Sequence, residues 1–263
     1  MHSVDLFYKR YGAGGPPLVI LHGLLGAGGN WHTLSSKVFG EAFTVYAVDQ
    51  RNHGRSPHAD AFDYDVMAAD VQRLMDAQGI DRAHVLGHSM GGKTAMHLAT
   101  HAPDRVDRLV VADIAPRPYP ARHDDLFRAL YTVDPGQHQS RASIDADLAA
   151  YVPHAGVRQF LLKNLSYDAA TKTYGWQMNL DAIVRGYDAI RVGLAPEVRF
   201  DRPSLFIRGG ASDYVADADE PLIRHHFPMA QLVTLPGAGH WLHAEAPKAF
   251  SQAVMTFLGA PAP

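Results

Sequence analysis

The stretch "VLGHSMGGKT", residues 85–94, satisfies two catalytic patterns at once. From Gly87 to Thr94 it reads G-x-x-x-x-G-K-T, a loop whose backbone amides cradle nucleotide phosphates while Lys93 and Thr94 meet phosphate and metal. From Gly87 to Gly91 it reads G-x-S-x-G, a sharp turn that presents Ser89 as a nucleophile. A serine of ordinary pKa is inert without a base. His240, in the glycine-flanked loop of "PGAGHWLHAEAP", is the candidate base, with His243 as its neighbouring rival. Acyl transfer also needs oxyanion donors. The run "VILHGLLG" ends in His22-Gly23, which would set the Leu24 amide beside that of Met90. The phosphate reading accounts for Asp113, ending "LVVAD", as a magnesium-holding acid. It gives no role to His240 or His22-Gly23. The serine reading uses all of them, in the order Ser, acid, His. On that reading Lys93 and Thr94 are ordinary first-turn helix residues, and Gly92 lets helix and strand pack closely.

These residues need strand ends to hold them. Short β-rich runs ("PLVILHG", "FTVYAVD", "HVLGHS", "RLVVAD", "SLFIRGG", "AQLVTLPG") each finish near Gly, Asp or His. They are nearly continuous apolar runs, the mark of strands buried on both faces of a parallel sheet. Helix-period segments lie between several of them, such as "VMAADVQRLMDAQ", with Val66, Val71, Leu74 and Met75 on one face. The alternation predicts a doubly wound α/β fold. One interval, roughly 117–200, is far longer than a βα connection and reads as helices with a turn or hairpin near "YDAATKTYGW". It is expected to be a helical lid inserted into a core domain formed by 1–116 and 201–263. The final "GAPAP" is expected to fray.

Composition narrows the classes. An apolar fraction of 47% supports a substantial core, and a net charge of −3 gives no electrostatic footprint for nucleic acid or an anionic membrane. With no cysteine, disulfides, thiolate metal sites and a cysteine nucleophile are excluded. The start, "MHSVDLFYKRYGAGG", carries no signal-peptide pattern, and no apolar run approaches a membrane span. A soluble cytoplasmic protein is the expectation, with monomer and dimer both open.

Together "HGLLG", "VDQRNHGRSPH", "GHSMGGKTAM", "DIAPRPYPARHDDLF", "FLLKNL" and "AGHWLHAE" resemble the α/β-hydrolase fold, and more narrowly the YbfF-type bacterial esterases and their eukaryotic relatives. The resemblance spans about residues 18 to 248. It implies a serine hydrolase that cleaves small-molecule carboxylic esters or acyl thioesters, with no cofactor and no metal. C–C bond hydrolases and perhydrolases share the fold and remain alternatives. It also bears on the acid. The fold's usual G-x-x-D, counted from Gly209 in "FIRGGASDYV", lands on Ser212 rather than Asp213. Asp113 occupies an alternative acid position of the fold and is preferred, with Asp213 still open. Ser212 would then support the site near His240. The "DQRNHGRS" loop resembles the fold's D-x-R-x-x-G-x-S, and Asp49 and Arg51 are read as a charged pair pinning it beside the oxyanion turn. His22 reads as a buried scaffold group.

Other features take plainer readings. His97 and His101 have i, i+4 metal spacing but no third ligand, and chance pairs are expected among 16 histidines. His225-His226 reads as solvated surface. Phe127, Phe160, Leu161 and Trp176 of the lid, with Trp31 and Trp241, are candidates for the wall of an acyl pocket.

Overall fold

The computed structural model describes residues 3–260, so the last three residues of the "GAPAP" tail lie outside the described range. In chain order the strands are β1 (Tyr8–Tyr11), β2 (Pro17–Leu21), β3 (Thr44–Val48), β4 (Ala83–His88), β5 (Val106–Ala112), β6 (Leu165–Asp168), β7 (Thr173–Trp176), β8 (Ser204–Gly209) and β9 (Ala230–Leu235). The helices are α1 (His32–Lys37), α2 (Tyr64–Ala77), α3 (Met90–His101), α4 (Asp124–Thr132), α5 (Arg141–Leu148), α6 (Ala155–Leu162), α7 (Leu180–Arg185), α8 (Glu220–His226), α9 (Leu242–Glu245) and α10 (Pro247–Leu258).

Seven strands form one sheet in the order β1-β3-β2-β4-β5-β8-β9. All neighbours are parallel except β1, which runs antiparallel to β3. Successive side chains leave opposite faces of a strand, and here both faces are covered. Val19, Val85, Val111 and Phe206 pack with Val71 and Met75 of α2 and Met96 of α3 on one side. Leu18, Ile20, Leu86, Val110 and Leu205 pack with Leu34 of α1 and Phe250 and Val254 of α10 on the other. This is why the strands read as unbroken apolar runs. The segment β1, "YKRY", is an edge with a half-exposed to exposed pattern, and no such run announced it.

The helix α2 begins where Asp63 caps it by accepting from the Val66 amide, and its expected face (Val66, Val71, Leu74, Met75) is buried. Between β5 and β8 lie α4 to α7 and the antiparallel β6–β7 hairpin, which falls on "YDAATKTYGW". Their apolar side chains, among them Phe127, Leu130, Ile144, Leu161 and Ile183, form a third cluster. It closes onto Leu25, Phe62, Met67 and Met90 of the sheet layer. The inserted segment is thus packed directly over the carboxyl ends of β2 and β4.

Candidate active site

Parallel register brings the chemistry together. Leu21 of β2 pairs with Gly87 of β4, and His88 pairs with Ala112 of β5, so His22, Ser89 and Asp113 leave the sheet at one edge. Ligands of open α/β sheets bind at this carboxyl edge, where strand order reverses.

Ser89 sits at φ 52°, ψ −118°, a backbone conformation costing about 1–3 kcal/mol for a residue with a Cβ. The turn is possible because its flanks are bare. A Cβ on Gly87 would lie 2.1 Å from the Gly91 carbonyl oxygen, and one on Gly91 would lie 2.4 Å from that of Leu21. The helix α3 then starts at Met90, and its first amides lack partners within the helix.

Asp113 also takes a positive φ, 52°, and is fully buried. Its Oδ1 accepts from the Gly209 amide at 2.9 Å. Its Oδ2 accepts from the Ser212 hydroxyl and lies 2.8 Å from His240 Nδ1. A carboxylate accepts only, so Nδ1 carries the proton and Nε2 is left as an acceptor. That Nε2 is 3.0 Å from Ser89 Oγ. His240 is steadied from several directions. Its carbonyl accepts from His88 Nε2 at 2.8 Å, and the Tyr214 ring stacks on its imidazole at 3.8 Å and 17°. Behind it, the Gly239 amide donates to Glu245 of α9 at 2.5 Å.

Leu24 lines the space above Ser89, and its amide has no partner among the described residues. Two buried histidines hold the turn that carries it. His22 donates from Nδ1 to the Gly23 carbonyl (2.8 Å) and accepts the Gln50 amide at Nε2 (2.9 Å). His53 donates from Nδ1 to the Arg51 carbonyl (2.9 Å) and accepts the Leu25 amide at Nε2 (3.1 Å). Asn164, from the inserted segment, donates to the Leu25 carbonyl at 2.7 Å. Sequence reasoning overlooked His53, Asn164, His88 and Tyr214. Each has a partner at the site that is distant in the chain, and no short motif encodes such contacts.

Residues 16–150 match the family of the α/β hydrolase fold. The chain belongs to that family. Along nearly its whole length this hydrolase is similar to the sn-1-specific diacylglycerol lipase ABHD11 of Mus musculus, with 40% identity over 92% of this chain and 81% of the other. It is 39% identical to the esterase YbfF of Escherichia coli K12 over 92% of both chains. Among solved structures, a marine microorganism esterase superposes with a TM-score of 0.94, at 42% identity over 97% of this chain and 100% of that one.

The hydrolase departs from several sequence expectations. Asp49 and Arg51 do not form one pair. Asp49 accepts the Gly28 and Arg55 amides (2.7 and 2.9 Å), whereas the Arg51 guanidinium forks onto buried Asp70 of α2 (2.6 and 2.7 Å). Each still ties the loop down, one through backbone and one through a helix. Lys93 is no ordinary helix residue. It is buried and donates to the carbonyls of Arg117 (2.5 Å) and Val192 (2.7 Å), anchoring the inserted segment to α3, and burial lowers its pKa to about 7. A lysine so engaged does not face a phosphate cradle. His226 is buried too, bonded to the Val198 carbonyl at 2.8 Å; His225 alone is exposed. Asp213 is exposed and bound at 2.9 Å to Arg122. His243 stacks on Trp31 at 4.4 Å, and it is His240 that meets Ser89. His97 and His101 stack on each other at 3.9 Å, with His97 bonded to Asp65 at 2.6 Å. No cluster suited to a metal, and no helix long and apolar enough to cross a membrane, occurs among the described residues.

Over Ser89 opens a cavity of about 350 Å³. Trp31, Phe160 and Trp241 line it with Leu25, Leu126 and Val157. Phe127 and Leu161 are instead spent in the core of the inserted segment, and Trp176 donates to the Leu130 carbonyl at 3.1 Å.

The scaffold histidines make stability depend on pH. Desolvation lowers His22 from 6.5 to about 4, and His53 and His243 to about 3. Each is neutral in the fold and regains an ordinary pKa when unfolded, so the unfolded chain binds more protons in acid. Stability is therefore complete above the unfolded pKa of 6.5 and is lost as pH falls toward the folded values. At pH 5 each histidine should remove on the order of 2 kcal/mol. Urea midpoints at pH 7.5 and 5.0 check this; equal midpoints would contradict it.

Proposed function

We propose that the protein is a serine hydrolase cleaving carboxylic esters or acyl thioesters through an acyl-enzyme, with Ser89, His240 and Asp113 as its triad. The observation that carries this reading is the chain of contacts from Asp113 through His240 (2.8 Å) to Ser89 (3.0 Å), on a serine held at φ 52°. In the first half-reaction His240 Nε2 takes the Ser89 proton while Oγ attacks the carbonyl carbon. The Leu24 and Met90 amides stabilise the oxyanion. His240 returns the proton to the departing alcohol or thiol. Water, activated by the same nitrogen, then frees the acid. Asp113, oriented by Ser212 and Gly209, holds the imidazole in the required tautomer and stabilises its charged form.

The apolar cavity suits the hydrocarbon of the acyl group. Residues 117–200 act on this reading as a lid on the core domain of 1–116 and 201–263, and Asn164 links lid and oxyanion turn. The similarity to an esterase and to a diacylglycerol lipase supports ester substrates. Labelling with a fluorophosphonate, followed by mass spectrometry, tests the reading. The adduct is expected on Ser89 and absent from Ser89→Ala. An adduct elsewhere, or none on folded protein, would overturn it.

A further inference from the structure

His123, just before α4, has no task in the reaction above. It lines the large cavity and also a second pocket of about 50 Å³ on the other flank of Ser89. Leu24, Ser89 and His123 line both, so these three stand between the two. The large side carries Trp31, Phe160 and Trp241, and the small side carries Tyr119, Tyr187 and Tyr214.

The protons of His123 can be counted. Its Nδ1 lies 2.6 Å from the Tyr187 hydroxyl, which also accepts the Arg122 amide at 3.1 Å. Among the described residues the Tyr187 proton has no other acceptor than His123 Nδ1. Where Tyr187 donates to Nδ1, the ring hydrogen sits on Nε2. That Nε2 has no protein partner among the described residues, and His123 lines both pockets beside Ser89. The ring is held edge-on against Tyr187 at 5.6 Å and 87°. Burial, with His240 nearby, lowers its pKa to about 4 and keeps it a neutral donor.

We propose that His123 is a substrate-contacting residue whose Nε2–H donates a hydrogen bond to the alkoxy oxygen of an ester lying across Ser89. The proposal rests on the serine esterase reading. The carbonyl oxygen of such an ester turns toward the Leu24 and Met90 amides. Its alkoxy oxygen must face His240, which returns the proton, and His123 lines the same cavity as His240 and Ser89. The Ser89 proton still travels through His240 to the leaving oxygen. His123 transfers none and instead stabilises the charge that grows there as the C–O bond breaks. The alcohol is left toward the tyrosine-lined pocket and the hydrocarbon toward the large cavity.

Sulfur accepts hydrogen bonds weakly, so a matched ester and thioester separate this role from packing. In ethyl butyrate hydrolysis His123→Phe should lower kcat/KM about tenfold, mostly in kcat, the scale of one lost hydrogen bond. With S-ethyl thiobutyrate the same variant should change it by less than about threefold. His123→Gln, which keeps a donor, should recover much of the ester rate. Tyr187→Phe, which frees the tautomer, should show a smaller loss with the same ester preference. Equal losses on both substrates would mean an oxyanion or packing role, and no loss on either would mean no contact. Both outcomes overturn the proposal. A wild type that cleaves neither substrate and takes up no fluorophosphonate on Ser89 would overturn the esterase reading itself.

Discussion

Ser89→Ala is expected to lower kcat on a short acyl ester by about 10⁶ while leaving the fold and KM nearly unchanged, because triad members act as a unit. Alanine keeps the Cβ, so the strained turn at φ 52° meets the same steric demand. Only the Oγ, 3.0 Å from His240 Nε2, is lost. The variant keeps the Leu24 and Met90 amides, the proposed oxyanion donors, and should leave some catalysis over water. Circular dichroism and urea unfolding should match wild type. Steady-state kinetics, with titration to exclude wild-type contamination, gives the rate. A residual kcat above about 1% of wild type would mean that another group attacks the ester.

That expectation could be framed from the sequence because the elbow is a local device. Gly87, Ser89 and Gly91 lie within five residues, and the close approaches that demand glycine are made to the same turn and to the adjoining strand β2. The sheet was legible for a related reason. Strands covered on both faces leave a continuous apolar record, whereas the half-exposed edge strand β1 leaves none. Less legible were groups whose purpose depends on distant partners. Asp49 and Arg51 looked like a pair because they are neighbours in the chain, yet Arg51 meets Asp70, 19 residues on. Lys93 looked like an ordinary first-turn helix residue because α3 cannot reveal that the inserted segment covers it. Phe127, Leu161 and Phe160 all have helical spacing in apolar company. Only the packing of α4 and α6 sends the first two into the core and the last into the cavity.

The choice of acid shows the same limit and leads to the second large effect. Asp113 and Asp213 both follow apolar strands that end at the site, and spacing alone left both available. In the fold Asp213 is exposed and faces Arg122, while Asp113 is buried beneath His240. Asp113→Asn should therefore reduce kcat by about 10⁴. The Gly209 amide requires an acceptor at Oδ1, so the carboxamide oxygen takes that place and its NH₂ group turns toward Ser212 and His240. Facing a donor, His240 Nδ1 must accept, the proton moves to Nε2, and the nitrogen that should deprotonate Ser89 no longer can. The loss should lie in kcat, with the protein folded and its cavity intact. Asp213→Asn removes an exposed ion pair of a kind worth about 0–1 kcal/mol, and its kcat should stay within a few-fold of wild type. Measured side by side on one ester, a large loss in Asp213→Asn alone would transfer the acid's role to Asp213. Near-normal rates in both would leave His240 without a carboxylate partner and undo the proposed triad.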